Sequence, residues 1–293
     1  MTETASTTKA TVAGKIGPGS EPRRFAFGKN WQRFLSFLDD ERIAEAEKSL
    51  CEMLAVENLH GKSFIDIGSG SGLFSLAAIR LGASRVYSFD YDPQSVACTR
   101  ELRQRYYPDA RNWVVEQGSV LDQSYLAQLG LFDVVYSWGV LHHTGNMWQA
   151  LENVSARVRP GGRLFIAIYN DEGRRSKAWR SVKQRYSASL AWRVPIIAGF
   201  GSYILMKGFI KDVFLLRKNP MRRFREYKKS RGMSYFVDIL DWLGGYPFEV
   251  AKAESICDFF HRRGFELITL KTPIQPKGNN EFVFAKLEKA SPE

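Results

Sequence analysis

Apolar residues recur along this chain in two rhythms. Between Phe25 and Val56 the positions Trp31, Phe34, Leu35, Leu38, Ile43, Ala46, Leu50, Met53 and Leu54 keep the spacing of one helical face. From Ser63 onward, short apolar runs alternate with helix-period segments. SFIDI predicts a strand and GLFSLAAIRLG a helix ending at Gly82. RVYSFD predicts the next strand, and PQSVACTRELRQRYY a helix with Pro93 in its first turn. NWVVEQG, FDVVYSW and RLFIAIY supply three more strands. Between them stand a short helix near Ser124–Leu129 and a longer one, MWQALENVSARV, stopped by Pro160-Gly161-Gly162.

Strands alternating with helices predict an α/β, Rossmann-like, doubly wound parallel sheet. The pattern lapses over 171–250 and resumes with the helix AKAESICDFFHRRG. Two strands close it, FELITLKT and NEFVFAKL, and their short linker predicts antiparallel pairing, because a parallel connection needs a crossover. The expected architecture is a seven-stranded sheet with its last strand antiparallel, N-terminal helices, and a helical cap inserted after the fifth strand. By this reading 1–24 is a disordered tail and 25–60 an N-terminal helical segment. Segments 61–170 and 251–288 form the main domain, and 171–250 forms the cap. No internal repeat is visible.

Length and composition narrow the picture little: 293 residues can bury one large core, and the apolar fraction is ordinary. No signal peptide is visible in the polar start MTETASTTKATVAGKIGPGSEPRR. Cys51, Cys98 and Cys257 stand far apart, which argues against a disulfide framework or zinc site and suits a reducing cytoplasm. Charge changes the picture more. Of the net +11, residues 171–231 hold 17 Lys/Arg against 4 Asp/Glu, and the remainder is close to neutral. The same segment contains the uncharged run VPIIAGFGSYILM, Val194 to Met206, too short to span a bilayer, which takes about 20 residues. The plain expectation is a helical cap packed on the sheet domain. The sharper one is a flap over 194–216 with basic flanks, touching a membrane surface or an acidic, lipid-like substrate. The expected location is then the cytoplasm, peripheral to the inner face of a membrane.

FIDIGSGSG carries the candidate cofactor chemistry. Its glycines Gly68, Gly70 and Gly72 are spaced GxGxG, around Ser69, whereas a dinucleotide fingerprint reads GxGxxG. Asp66, in the strand just before, would repel a pyrophosphate and attract an ammonium. S-adenosylmethionine carries an amine and a sulfonium, so it is the better match. Asp90, with Tyr91 after it, ends the next strand where ribose hydroxyls would lie. EQGSVLD places Ser119 and Val120 beside an adenine.

DIGSGSG, FDYD, QGSVLD and FDVVYSWGVLHH resemble the ordered motifs of the class I S-adenosylmethionine-dependent methyltransferases. The resemblance covers about Gly61 to Tyr169 well, and the closing helix and two strands more loosely. LHH and VRPGGRLFIAIYN are similar to the branch with the polyprenyl-quinone and the sugar or natural-product O-methyltransferases. It implies that Asp66, Gly68 and Gly70 contact the methionine part, Asp90 the ribose, and Ser119 and Val120 the adenine. Ser137 would lie beneath the methyl-bearing sulfur. Ser119 stands where many members have Asp.

Methyl transfer to a hydroxyl needs alignment and a base. WGVLHHTG places His142 and His143 at the carboxyl end of the fourth strand, where open α/β sheets bind ligands. Adjacent side chains in a turn diverge, so at most one faces an acceptor; His143 is favoured as structural or cofactor-adjacent, and both stand as base candidates. Gly244-Gly245 and Pro247 predict a turn presenting Tyr246, Phe248 and Glu249, of which Tyr246 and Glu249 join the catalytic candidates. No ligand spacing suggests a metal. The leading expectation is a methyltransferase acting on a hydroxyl of an acidic, glycosylated or lipid-like small molecule. The alternative is an RNA (tRNA) methyltransferase whose basic insertion tracks phosphates. A non-catalytic binder of the cofactor is a third reading.

Overall fold

The computed structural model of the chain describes residues 28–210, 213, 243–273 and 278–288. The tail expected over 1–24 and, apart from residue 213, the end of the flap expected over 194–216 beyond residue 210 lie outside them.

The N-terminal helical pattern is divided in two, α1 (Gly28–Leu35) and α2 (Asp40–Leu54). Asp39 explains the break: its side chain accepts the Arg42 N–H, so a new helix starts there. The alternating region follows as β1 (Ser63–Ile67), α3 (Leu73–Arg80), β2 (Arg85–Asp90), α4 (Pro93–Tyr106), β3 (Trp113–Gln117) and α5 (Gln123–Leu129). Then come β4 (Phe132–Trp138), a short 3-10 turn (Leu141–His143), α6 (Met147–Ser155) and β5 (Val158–Tyr169). In the place of the insertion stand α7 (Arg174–Ala188) and α8 (Leu190–Ile210), and the chain closes with α9 (Ala253–His261), β6 (Phe265–Lys271) and β7 (Asn279–Lys286).

The seven strands form one sheet in the order β3-β2-β1-β4-β5-β7-β6. β1 to β5 pair in parallel, and β7 runs antiparallel to both β5 and β6, as the short linker predicts. One local expectation fails. Pro160-Gly161-Gly162 does not stop α6, which already ends at Ser155; it bulges within β5, shifting the pairing between Phe132–Val158 and Val134–Arg163.

The pleat of β1 sorts its side chains between two cores. Ile65 and Ile67 join the core with α6 and α9, while Phe64 packs on the opposite side among residues of α2, α3 and α4. Both faces are covered, as parallel strands require. Strand order reverses between β1 and β4, and such a switch point opens a crevice at the carboxyl ends of the strands. α8 departs from the expected packed cap. Its large apolar side chains stand exposed, Val194 at 72% and Met206 at 60%, instead of covering the sheet.

Candidate active site

A cleft of about 330 Å³ opens at that switch point, within the usual size of a small-molecule pocket. Its floor is the glycine loop. Gly68 has φ +80° and Gly70 φ +55°, a region that side chains with a Cβ rarely adopt. A Cβ on Gly68 would overlap Val140, and one on Gly70 would press on the Trp31 indole. The loop is pinned from below, where the N–H groups of Gly68 and Ser69 donate to the Phe89 carbonyl at 2.8 and 3.1 Å.

Asp90 faces the cleft from the end of β2. Its oxygens accept the N–H groups of Gly70 at 3.0 Å and Asp92 at 2.9 Å, so the carboxylate is held in place. Burial pushes its pKa up to about 6, against these backbone donors. Tyr91, Ser119 and Val120 line the same wall.

Asp66 is the main correction. Its side chain is 2% exposed and points beneath the loop, away from the cleft wall. There it accepts the Ser75 hydroxyl at 2.6 Å; Ser75 meets the Ser88 hydroxyl at 2.7 Å, and Trp113 Nε1 donates to Ser88 at 2.9 Å. Burial raises Asp66 to about 7, partly offset by Ser75 and reinforced by Asp90. Asp66 is therefore absent from the cleft lining, its carboxylate engaged by Ser75. Three other expected contacts are also structural. The Ser69 hydroxyl bonds Thr99 at 2.9 Å, Gly72 caps α3, and Ser137 donates to the Ile67 carbonyl at 2.9 Å, tying β4 to β1. Trp138, Gly139 and Val140, the residues just after Ser137, line the cleft in its place.

The two histidines separate completely. His142 is 0% exposed, with its ring 4.0 Å from the Tyr169 ring centroid, and neither nitrogen has a hydrogen-bond partner. Burial, then the neighbouring His143, hold it well below the ordinary imidazole range; the Ala167 carbonyl favours the charged ring without reaching hydrogen-bond geometry. It cannot reach a substrate. His143 lines the cleft, and its Nδ1 lies 2.7 Å from the Pro247 carbonyl. A carbonyl only accepts, so Nδ1 carries the hydrogen and Nε2 is left unprotonated. Burial lowers this histidine to about 4. Tyr246 also lines the cleft, beside a cis Tyr246–Pro247 peptide. Glu249 does not. Its carboxylate accepts the Met147 N–H at 3.1 Å, capping α6, and burial raises its pKa.

Some site residues gave no warning in the sequence. Trp31 lies in an apolar helical repeat, where it reads as core, yet it walls the cleft. Lys183 of α7 is 1% exposed, with its ammonium 5.1 Å from the Phe248 ring centroid and close enough to both histidines to lower their pKa values. Burial brings Lys183 itself down to about 7. Among the described residues no group of three His, Cys, Asp or Glu could hold a metal ion.

The charges of the cleft decide which nucleotide fits. Asp90 and Asp92 face it, and no Lys or Arg is among the described residues that line it. A pyrophosphate would find no counter-charge there, and Asp90 already engages the Gly70 N–H. The positive charge of S-adenosylmethionine suits a cleft lined by carboxylates and by no described Lys or Arg, ribose hydroxyls can donate to Asp90, and Phe89 and Val120 offer apolar surface to adenine. The residues present fit this cofactor.

Comparison with known proteins agrees. Residues 65–164 match the family model described as a methyltransferase domain. The chain is 27% identical over 188 residues to a tRNA U34 carboxymethyltransferase of Geobacter sp. strain M21, covering 64% of this chain and 56% of that protein. It is 45% identical over 123 residues to a ribosomal protein L11 methyltransferase of Photobacterium profundum, covering 41% and 38%. Among solved structures, magnesium protoporphyrin IX methyltransferase from Synechocystis, with bound SAH, superposes with TM-score 0.51 at 14% identity, over 88% of this chain and 94% of that one. That likeness is one of fold. The chain spans about half the length of the curated relatives it matches.

Proposed function

We propose that this chain is an S-adenosylmethionine-dependent methyltransferase acting on a hydroxyl of a small, lipid-like or glycosylated acceptor, in the branch of the polyprenyl-quinone and natural-product O-methyltransferases. The observation that carries the reading is His143. It stands in the wall of a cleft suited to a cationic nucleoside, with its Nδ1 bound to Pro247 and its Nε2 unprotonated.

When bound, the sulfonium supplies an electrophilic methyl group. With the cofactor bound, His143 Nε2 would accept the acceptor's hydroxyl proton as the oxygen–carbon bond forms and the sulfur–methyl bond breaks, with neutral S-adenosylhomocysteine as the leaving group. Its lowered pKa keeps it in the basic form throughout the neutral range, at the expense of base strength, and favours rapid loss of the proton afterwards. Trp138, Tyr169 and Tyr246 give the acceptor end an aromatic wall, which suits a ring or an isoprenoid better than a phosphate chain. Acidic groups on a larger acceptor would meet the exposed arginines of α7 outside the cleft.

The second reading, tRNA methylation, is supported by the name of the Geobacter relative and the 17 Lys/Arg over 171–231. The two separate on salt, since RNA binding weakens steeply with ionic strength and small-molecule binding does not. Titration calorimetry with S-adenosylhomocysteine and with NAD tests the cofactor. Binding of the first and not the second is expected, and the reverse would overturn the reading.

A further inference from the structure

We infer that α8 lies in the plane of an anionic lipid surface, with α7 as its basic flank. The uncharged run expected to be too short to span a bilayer lies within a longer helix: α8 is 21 residues long and apolar enough to cross a bilayer by length and composition, yet little of its apolar window is buried. Its exposed apolar residues do not form one stripe. At 3.6 residues per turn Val194, Ile197 and Leu205 fall together, while Trp192 and Tyr203 stand on the opposite side. A helix that is apolar around most of its circumference belongs in an apolar medium.

The charge pattern selects a lipid surface as that medium. From Arg174 to Ile210 there are eight Lys/Arg and no Asp or Glu. Arg174, Arg175, Lys177, Arg180 and Arg185 of α7 are exposed. An apolar body with an acid-free basic flank complements a hydrocarbon boundary topped by anionic headgroups. α7 also decides between crossing the bilayer and lying in its plane. It packs along α8, with the Trp179 and Phe200 rings 5.0 Å apart, so a spanning α8 would drag these arginines into hydrocarbon. Lying in the plane leaves them at headgroup level. α7 begins shortly after Tyr169, a cleft residue, so the chain runs from the cleft wall directly into the lipid-facing pair of helices. The lipid contact does not rest on the proposed function.

Flotation of the full chain with phosphatidylcholine vesicles, with and without phosphatidylglycerol, tests this without turnover. Recovery with the phosphatidylglycerol vesicles is expected, together with its loss in V194E/M206E/F209E at an unchanged melting temperature. Replacing Arg174, Arg175 and Lys177 by Ala is expected to weaken partitioning on the order of fivefold per residue. Absence of recovery, or equal recovery of the glutamate variant, overturns the inference. A marked fall in melting temperature for that variant would mean that the chain itself covers α8. A dimer that the variant dissociates, read by light scattering, would mean that a second copy does. Either result also overturns it.

Discussion

The Nδ1 atom of His143 and the carbonyl of Pro247 meet at 2.7 Å although 104 residues separate them in the chain. The contact joins the end of the fourth-strand loop to the exit of the insertion. It fixes the tautomer of the one histidine that the cleft exposes. His142, its neighbour in sequence, is sealed in the interior.

That division predicts opposite phenotypes for adjacent residues. His143→Ala should lower kcat by about 100- to 10,000-fold, the usual worth of a positioned base, with S-adenosylhomocysteine affinity nearly unchanged. His142→Leu should keep turnover and leave stability unchanged or up by about 1 kcal/mol, because it removes a buried ring with no hydrogen bond. Single-turnover kinetics and urea denaturation check the pair. Equal kinetic losses in both would exclude the assignment.

Asp90 gives cofactor binding a pH dependence. Its carboxylate accepts ribose hydroxyls only when ionised, and burial has raised its pKa to about 6. Affinity for S-adenosylhomocysteine should fall roughly tenfold per pH unit below about 6. Asp90→Asn should bind weakly and show no such slope. Calorimetry across that range is the measurement.

Asp66 bears on folding instead. Its folded pKa of about 7 lies above the unfolded value near 4, so the folded state binds the extra proton. Its contribution is fully present below about pH 4 and is lost as pH rises through about 7. Urea denaturation of the wild type and Asp66→Asn should therefore diverge with pH. Wild type should lose stability relative to the variant between these limits, and parallel curves would contradict the buried placement.

Glu249 caps α6 and does not face the cleft. Glu249→Ala should cost about 1 kcal/mol of stability, as the loss of a helix cap does, while kcat changes little. A large fall in kcat with intact stability would return it to the catalytic candidates.

Much of the fold was legible because its cues are local. The period of FIDI and of RVYSFD, Asp and Pro at helix starts, and the short connection before the last strand each act over a few residues. The exceptions were local too. The Pro160-Gly161-Gly162 bulge reads as a stop because a turn and a bulge use the same residue types. Asp90, Gly68, Gly70, Ser119 and Val120 reached the cleft as expected, since strand ends in a doubly wound sheet converge on one edge.

By itself the sequence determined the alternation of strands and helices, the glycine loop before its helix, and an acidic residue at the tip of the second strand. The tertiary structure decided which side chains face the cleft. A strand sends successive residues to opposite faces, and only the packed sheet shows which face is core and which edge is open. That is why Asp66, Ser69 and Ser137 turn inward, why Glu249 became a helix cap, and why Trp31 arrived from a helix more than thirty residues before the loop. That His143 and not His142 lines the cleft was decided the same way, with the His143 ring held by a carbonyl far along the chain that only folding brings near.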